Sequence, residues 1–186
     1  MAGNRPPYTI VAAPLQLPVA PITPPDPEFQ AYGRMQWDLP AAVDYVAYRE
    51  VTAILEAWNP SGVDRIYGLE YYFINPDGVI VGQDYITFVA DGLGFAMFML
   101  HAGAPEPMVT VITFKAPATG YRFGLRLLEL EMVDSVATIK YETSRLEVLL
   151  GTRDNGMDTF TPVLTGLIAV AIVGSIATGI SKGGLT

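Results

Sequence analysis

His101 is the only histidine in the chain, and it closes an apolar run that reads FAMFMLHAG. An imidazole can serve as a general base toward a hydroxyl, the chemistry of an acyl-transfer dyad. The hydroxyls such a dyad would draw on are Ser61, Ser135 and Ser144, and no local motif links them to His101. The expectation is therefore a structural histidine at the end of a strand. With one histidine and no cysteine, a His-ligated or Cys-ligated zinc site has too few donors. Two acidic groupings remain. Glu129 and Glu131 stand two apart, which puts both on one face of a strand, and they are expected to be solvated. Asp154, Asn155 and Asp158 offer hard oxygen donors for calcium, but their spacing fails the EF-hand pattern. GxSxG, HExxH, GxxxxGK[ST] and GxGxxG are all missing from the sequence. No catalytic residue, cofactor or metal is expected, and the chain reads as a non-enzyme.

One short stretch carries a family resemblance. Gly92-Leu93-Gly94-Phe95 resembles the GLGF carboxylate-binding loop of PDZ domains, and it precedes an expected strand as theirs does. In that family the loop amides capture a partner's C-terminal carboxylate, and the next strand pairs with the peptide. The resemblance implies a peptide-binding module. It covers four residues. Where the family carries Gly-Asp before a later strand, this chain reads Gly124-Leu125-Arg126, and the groove helix with its histidine has no counterpart.

The elements that would position these residues follow from composition. The chain has 186 residues, 51% of them hydrophobic, and a net charge of −8. That length suits one domain with appendages. Its lysines are Lys115, Lys140 and Lys182. So acidic a chain is a poor match for nucleic acid, which needs concentrated cations to replace phosphate counterions. It is equally ill suited to electrostatic docking on anionic lipid. The opening MAGNRPPYTI is polar and proline-broken, unlike a secretory signal.

Residues 1–34 are expected to form an extended arm. Its prolines, from Pro6 to Pro27, forbid helix and central strand. The residues between them are apolar, and Leu15, Leu17, Val19 and Ile22 are the expected contacts with a neighbouring subunit. Residues 35–150 read as an all-β domain, an antiparallel β-sandwich or single jelly-roll barrel. Two turns share one chemistry: Asn59-Pro60-Ser61-Gly62 and Asn75-Pro76-Asp77-Gly78. Around the second, Val63–Ile74 and Val79–Val89 form a predicted hairpin, in whose first strand Tyr67, Leu69, Tyr71 and Phe73 alternate with Ile66, Gly68, Glu70 and Tyr72. Residues 44–58 read either as a helix, with Asp38 as N-cap and Pro60 as stop, or as a strand with Val51, Ala53, Leu55 and Ala57 inward; the Asn59 turn directly after Trp58 favours a strand over 48–58, with a helical turn or two around Ala41–Tyr45. Further strands are predicted at Phe95–His101, Met108–Ala116, Tyr121–Val133, Val136–Glu142 and Arg145–Leu150. In Tyr121–Val133 the apolar parity flips at Leu127-Leu128, from Phe123, Leu125 and Leu127 to Leu128, Leu130 and Met132, which predicts a β-bulge there.

Residues 151–158 read as a polar hinge, 159–181 as a hydrophobic, transmembrane-like helix, and 182–186 as a short tail. Thr159–Ser181 holds no charge. As a helix it would span about 34 Å, against roughly 30 Å for a bilayer core. Ala171, Ser175 and Gly179 repeat at every fourth position, a small-residue face for close helix packing. The segment is expected to enter a lipid membrane or an oligomer core. The whole arrangement resembles small single jelly-roll capsid or virion proteins of icosahedral viruses with an internal membrane. That likeness is one of architecture and implies a structural subunit, packing with its own copies or a sister protein and located in a virion or at a membrane. The alternative is a tail-anchored accessory subunit of a cellular membrane complex.

Overall fold

Alternating apolar and polar residues, broken by proline and glycine, yield short pleated strands and corners. The computed structural model describes residues 5–11, 32–43, 50–90, 93–115, 118–134, 136–151 and 169–171. Every regular element among them is a strand. In chain order they are β1 (Tyr8–Val11), β2 (Arg34–Trp37), β3 (Ala42–Val43), β4 (Glu50–Trp58), β5 (Arg65–Ile74), β6 (Ile80–Tyr85) and β7 (Phe88–Ala90). There follow β8 (Leu93–Phe95), β9 (Met97–Leu100), β10 (Met108–Lys115), β11 (Arg122–Val133), β12 (Val136–Leu150) and β13 (Ala169–Ala171). The larger sheet runs β1-β9-β5-β11-β12-β3, with β6 also on β5, and the smaller runs β13-β10-β4-β2. β7 and β8 pair apart from both. All pairings are antiparallel except that of β12 with β3.

The two sheets pack face to face as a sandwich around one core. Ala53, Leu55 and Ala57 of β4 and Ile112 and Phe114 of β10 are buried from one side. Tyr67, Leu69 and Phe73 of β5 and Phe123, Leu125 and Leu127 of β11 are buried from the other. Phe123 is the hub. Its ring stacks on Phe114 with centroids 3.7 Å apart, and Trp37, Tyr71 and Phe73 surround it. The inward residues of β4 are thus the ones its alternation marks, and of the two alternating sets in β5 that of Tyr67, Leu69 and Phe73 faces the core.

The two Asn-Pro-x-Gly turns do different jobs. Asn75, Pro76 and Gly78 close the β5–β6 hairpin: Gly78 N–H donates to Asn75 C=O at 2.9 Å, and the Asn75 side chain accepts from Val79 N–H at 2.8 Å. Gly78 sits at φ +80°, where a side chain is strained. Asn59, Pro60 and Gly62 instead carry the chain from the smaller sheet to the larger. Asn59 is buried there, and it donates to the carbonyls of Val63 (2.7 Å) and Leu100 (3.1 Å). Its side-chain oxygen accepts from Ser61 N–H at 2.9 Å.

Four expectations need correction. Val136–Glu142 and Arg145–Leu150 are one strand, β12; a register shift does fall at Leu127/Leu128, where a bulge is expected, but it and a second at Glu129/Leu130 place the extra residues in β12 instead of β11. The parity of β11 therefore does not flip: Leu128 and Leu130 stay on the outer face, in a second cluster with Met97 and Ala137. Nor is Glu129 solvated like Glu131. It is 4% exposed, on the core side, and accepts from Arg65 at 2.6 Å. Finally, the only described residues of 159–181 are Ala169–Ala171, and they form a strand beside β10, not a helix. Among the described residues no helix is long and apolar enough to cross a membrane.

The outer face of the larger sheet is closed by its own side chains. Register sets Tyr72, Gly124 and Glu147 in one row, and Glu70, Arg126 and Arg145 in the next. Arg126 Nε donates to Glu70, and Arg145 Nε donates to Glu142 at 2.6 Å. Gln83 donates to Glu70 at 3.1 Å, and the Tyr72 hydroxyl to Glu147 at 2.6 Å. Tyr72 and Tyr85 can lie over this face because Gly124 and Gly68 beneath them carry no Cβ.

Candidate functional site

β9 and β10 are consecutive strands in different sheets, and on one side of the sandwich each would be an edge. An edge strand presents a row of unpaired amides and carbonyls and accepts further strands. Here β1 covers β9, with Tyr8 opposite Leu100, Thr9 opposite Met99, Ile10 opposite Phe98 and Val11 opposite Met97. β13 covers β10, with Ala171 opposite Val111 and Ala169 opposite Thr113. On the opposite side the sheets are tied by Met35 N–H of β2, which donates to Ser144 Oγ of β12 at 3.1 Å. The first strand and the last described strand thus cap the same side.

β1 is built for this seat. Tyr8 and Ile10 pack on the main core, and Val11 packs on the outer-face cluster. Burial raises the Tyr8 phenol above its ordinary value. The start of the strand is fastened to the sheet-switching corner: His101 N–H donates to Pro7 C=O at 3.1 Å, and Arg5 pairs with Asp64. His101 Nδ1 lies 3.0 Å from Asp64 Oδ2 and 3.1 Å from Arg5, and its Nε2 lies 2.8 Å from Thr9 Oγ1. A proton on Nδ1 goes to Asp64, and Nε2 then accepts from Thr9. A proton on Nε2 goes to Thr9, and Nδ1 then accepts from Arg5. Thr9 stays bonded in both tautomers. Asp64 is held below the usual carboxylate range, first by Ala102 N–H at 2.9 Å, then by the His101 bond and the Arg5 charge.

Asp64, His101 and Thr9 follow the order acid, imidazole, hydroxyl used by acyl-transfer triads. Arg5 engages both the acid and the imidazole, and Thr9 sits in a paired strand, so the group acts as a fastening for β1. The hydroxyls of Ser61 and Ser144 serve elsewhere. Ser61 accepts from Arg65 Nε at 3.0 Å, and Ser144 holds Met35. Ser135 lies outside the described residues. Sequence reasoning missed Arg5, Thr9 and Asp64, and no local signal marks them: Thr9 and His101 are 92 positions apart. A second polar cluster sits near the corner. Arg65 stacks over Tyr32 at 4.3 Å, Tyr67 Oη donates to Tyr32 C=O, and the second carboxylate oxygen of Glu129 is buried without a hydrogen-bond partner among the described residues.

The remaining expected positions divide plainly. Ala171 lies in β13. Ser175, Gly179, Leu15, Leu17, Val19 and Ile22 lie outside the described residues, as do Asp154, Asn155 and Asp158. Of the GLGF stretch, Leu93–Phe95 form strand β8 paired with β7, and Gly92 lies outside the described residues. Compared with protein-family models, with curated proteins and with solved structures, the chain matches none.

Proposed function

We propose that this chain is a non-enzymatic structural subunit that assembles with copies of itself or with a sister protein through the side of the sandwich covered by β1 and β13. The observation that carries this reading is the placement of those two strands. Each lies against an edge on the same side, and each is joined to the body through a stretch outside the described residues, 12–31 or 152–168. Edge pairing gives affinity through main-chain bonds, while alternate side chains set the register. Such a seat is a joint that neighbours can share.

The winding of the sheets supports the finer jelly-roll reading. β4 and β5 run antiparallel to β10 and β9 across both sheets, so a two-stranded ribbon turns the corner at Asn59. That folded ribbon is the winding unit of a jelly roll, the form expected of a shell protein. The uncharged segment 159–181 adds a reason for association, because a run so apolar leaves water only in company. A virion shell or a membrane-bound scaffold is the setting we propose.

Sedimentation of the full chain over a concentration series tests the reading. Large species or recovery with membranes are expected, and removal of 159–186 should shift the protein to a small soluble form. A full chain that sediments as a detergent-free monomer throughout would overturn it.

A further inference from the structure

We infer that Arg122 of one copy enters the groove formed by Gln36, Trp37, Asp38, Ile54 and Glu56 of the next, so that sandwiches stack outer face to outer face. This rests on the assembly reading above and adds a second joint, on the faces of the sandwich instead of its β1–β13 side.

The groove lies on the outer face of the smaller sheet, at β2 and β4. Alternation turns Met35 and Leu55 into the core and leaves Gln36, Ile54 and Glu56 outside. Its volume is about 240 Å³, below the roughly 300–1,000 Å³ of a small-molecule pocket, so it suits one long side chain. Trp37 and Ile54 make its walls apolar, and Asp38 and Glu56 make them acidic. Asp38 accepts from Ile54 N–H at 2.8 Å, and Glu56 accepts from Gln36. Neither carboxylate has a cation among the described residues. Two such carboxylates beside an indole fit a guanidinium, whose forked donors match the oxygens and whose plane stacks on the ring.

The chain offers one cation placed to fill that groove on a neighbour. Arg5, Arg65, Arg126 and Arg145 are taken up in ion pairs. Lys115 stands opposite Glu50, and Lys140 lies over Tyr141. Arg34 and Arg122 have no ion pair among the described residues, and Arg34 belongs to β2, which builds the groove. Arg122 lies on the far face of the molecule. Phe123 beside it is buried in the core, so Arg122 faces out from the larger sheet. Register sets it between Ile74 and Leu149, in one row with Ile80 and Ala42. Ile80 and Leu149 are each 41% exposed, and Ile54 across the contact is 46% exposed. An arginine set among exposed aliphatics is the composition of an interface core.

One molecule cannot satisfy itself, because Arg122 and the groove lie on opposite faces. The contact is therefore heterologous. Each copy gives Arg122 to one neighbour and its groove to another, and repetition builds a ring or an open array. At a net charge of −8 the copies repel in general, so a local cation-to-carboxylate match also decides which surfaces meet.

Charge reversal in the full chain tests this. Arg122→Glu and Glu56→Arg should each raise the concentration needed for assembly by about tenfold or more, read by sedimentation over a concentration series. An equimolar mixture of the two variants should assemble like the unmodified chain, since each reversed side chain then meets its opposite. One chain carrying both substitutions should do the same. Asp38→Asn keeps the bond from Ile54 N–H and should also weaken assembly, which covers the case of Glu56→Arg folding poorly. Single variants that assemble at the unmodified concentration, or a mixture as weak as its parts, overturn the contact and leave the assembly reading intact. An unmodified chain that stays monomeric defeats both. Calorimetric binding of free arginine by a chain whose assembly ignores Arg122→Glu would give the groove to a small cation and overturn the contact as well.

Discussion

Arg126 of β11 donates through Nε to Glu70 of β5, and each of the two side chains is 1% exposed. This ion pair lies on the outer face of the larger sheet, where a sandwich ordinarily meets water. Its stability rests on mutual satisfaction, because removing two charges from water costs several kcal/mol per ion. Arg126→Met should therefore cost about 3–5 kcal/mol, by leaving Glu70 buried without its cation. Glu70→Leu combined with Arg126→Met should recover most of that loss, since apolar replacement of a whole buried pair is often neutral. Urea unfolding of the two variants checks both. A single variant that loses less than about 1 kcal/mol would show the pair to be solvated in practice.

Gly124 and Tyr72 are a matched pair. A Cβ at position 124 would clash with Tyr72, at 2.2 Å from Cζ and 2.5 Å from the hydroxyl oxygen, and Tyr72 is itself fully buried. Gly124→Ala should cost about 1–3 kcal/mol through overpacking. In a Tyr72→Leu background the same substitution should cost clearly less, since the obstructing ring is gone. A double-mutant cycle measures that difference. Purely additive effects would mean that the ring moves aside freely.

What the sequence made legible was local. The β5–β6 hairpin follows from Asn75, Pro76 and Gly78, and the inward face of β4 follows from alternation at Ala53, Leu55 and Ala57. Turn chemistry could not tell a hairpin from a corner, because the Asn59 turn differs only in where its flanking strands find partners, and that is set by β10 and β9. The polar pair Thr143-Ser144 reads as a break between strands, yet bulges carry β12 straight through it. Glu129 looked solvated because its partner, Arg65, is 64 positions away. The fastening of β1 was equally invisible, since Arg5, Thr9, Asp64 and His101 meet only after three separate strands are in place. For 159–181, hydropathy predicts burial but does not choose the element, and its described residues, Ala169–Ala171, pair with β10 as strand β13.

Three tyrosines give the fold an alkaline limit. Tyr67, Tyr72 and Tyr85 are all pushed well above the ordinary phenol value by burial. Nearby carboxylates add to this: Glu129 for Tyr67, the bond to Glu147 for Tyr72, and Glu70 for Tyr85. A raised folded value means a contribution fully present below about pH 10, the unfolded value, and lost as pH climbs toward the folded ones. Urea midpoints should be level up to about pH 10 and then drop. Tyrosinate absorbance from these residues should appear together with unfolding and not before it. Tyr72→Phe should reduce the protons released on unfolding by one. Smooth titration of all tyrosines in the folded protein near pH 10 would contradict this.

Asp64 sets the opposite limit, and it does so at one strand. Its depressed carboxyl value has the bond from Ala102 N–H as its largest cause, followed by His101 and Arg5. A folded value below the unfolded one means a contribution present above about pH 4 and lost as pH falls through the folded value. Protonation removes the acceptor that binds Arg5 and His101, so the start of β1 is the part released. Asp64→Asn should lower the melting temperature at neutral pH, and the gap from the unmodified chain should close as pH falls below about 4. Hydrogen exchange should locate the change at Tyr8–Val11 and leave β4, β5 and β11 protected. If the gap persists unchanged in acid, Asp64 holds the corner through Ala102 alone, and the fastening of β1 must be assigned to Thr9 and the ladder to β9.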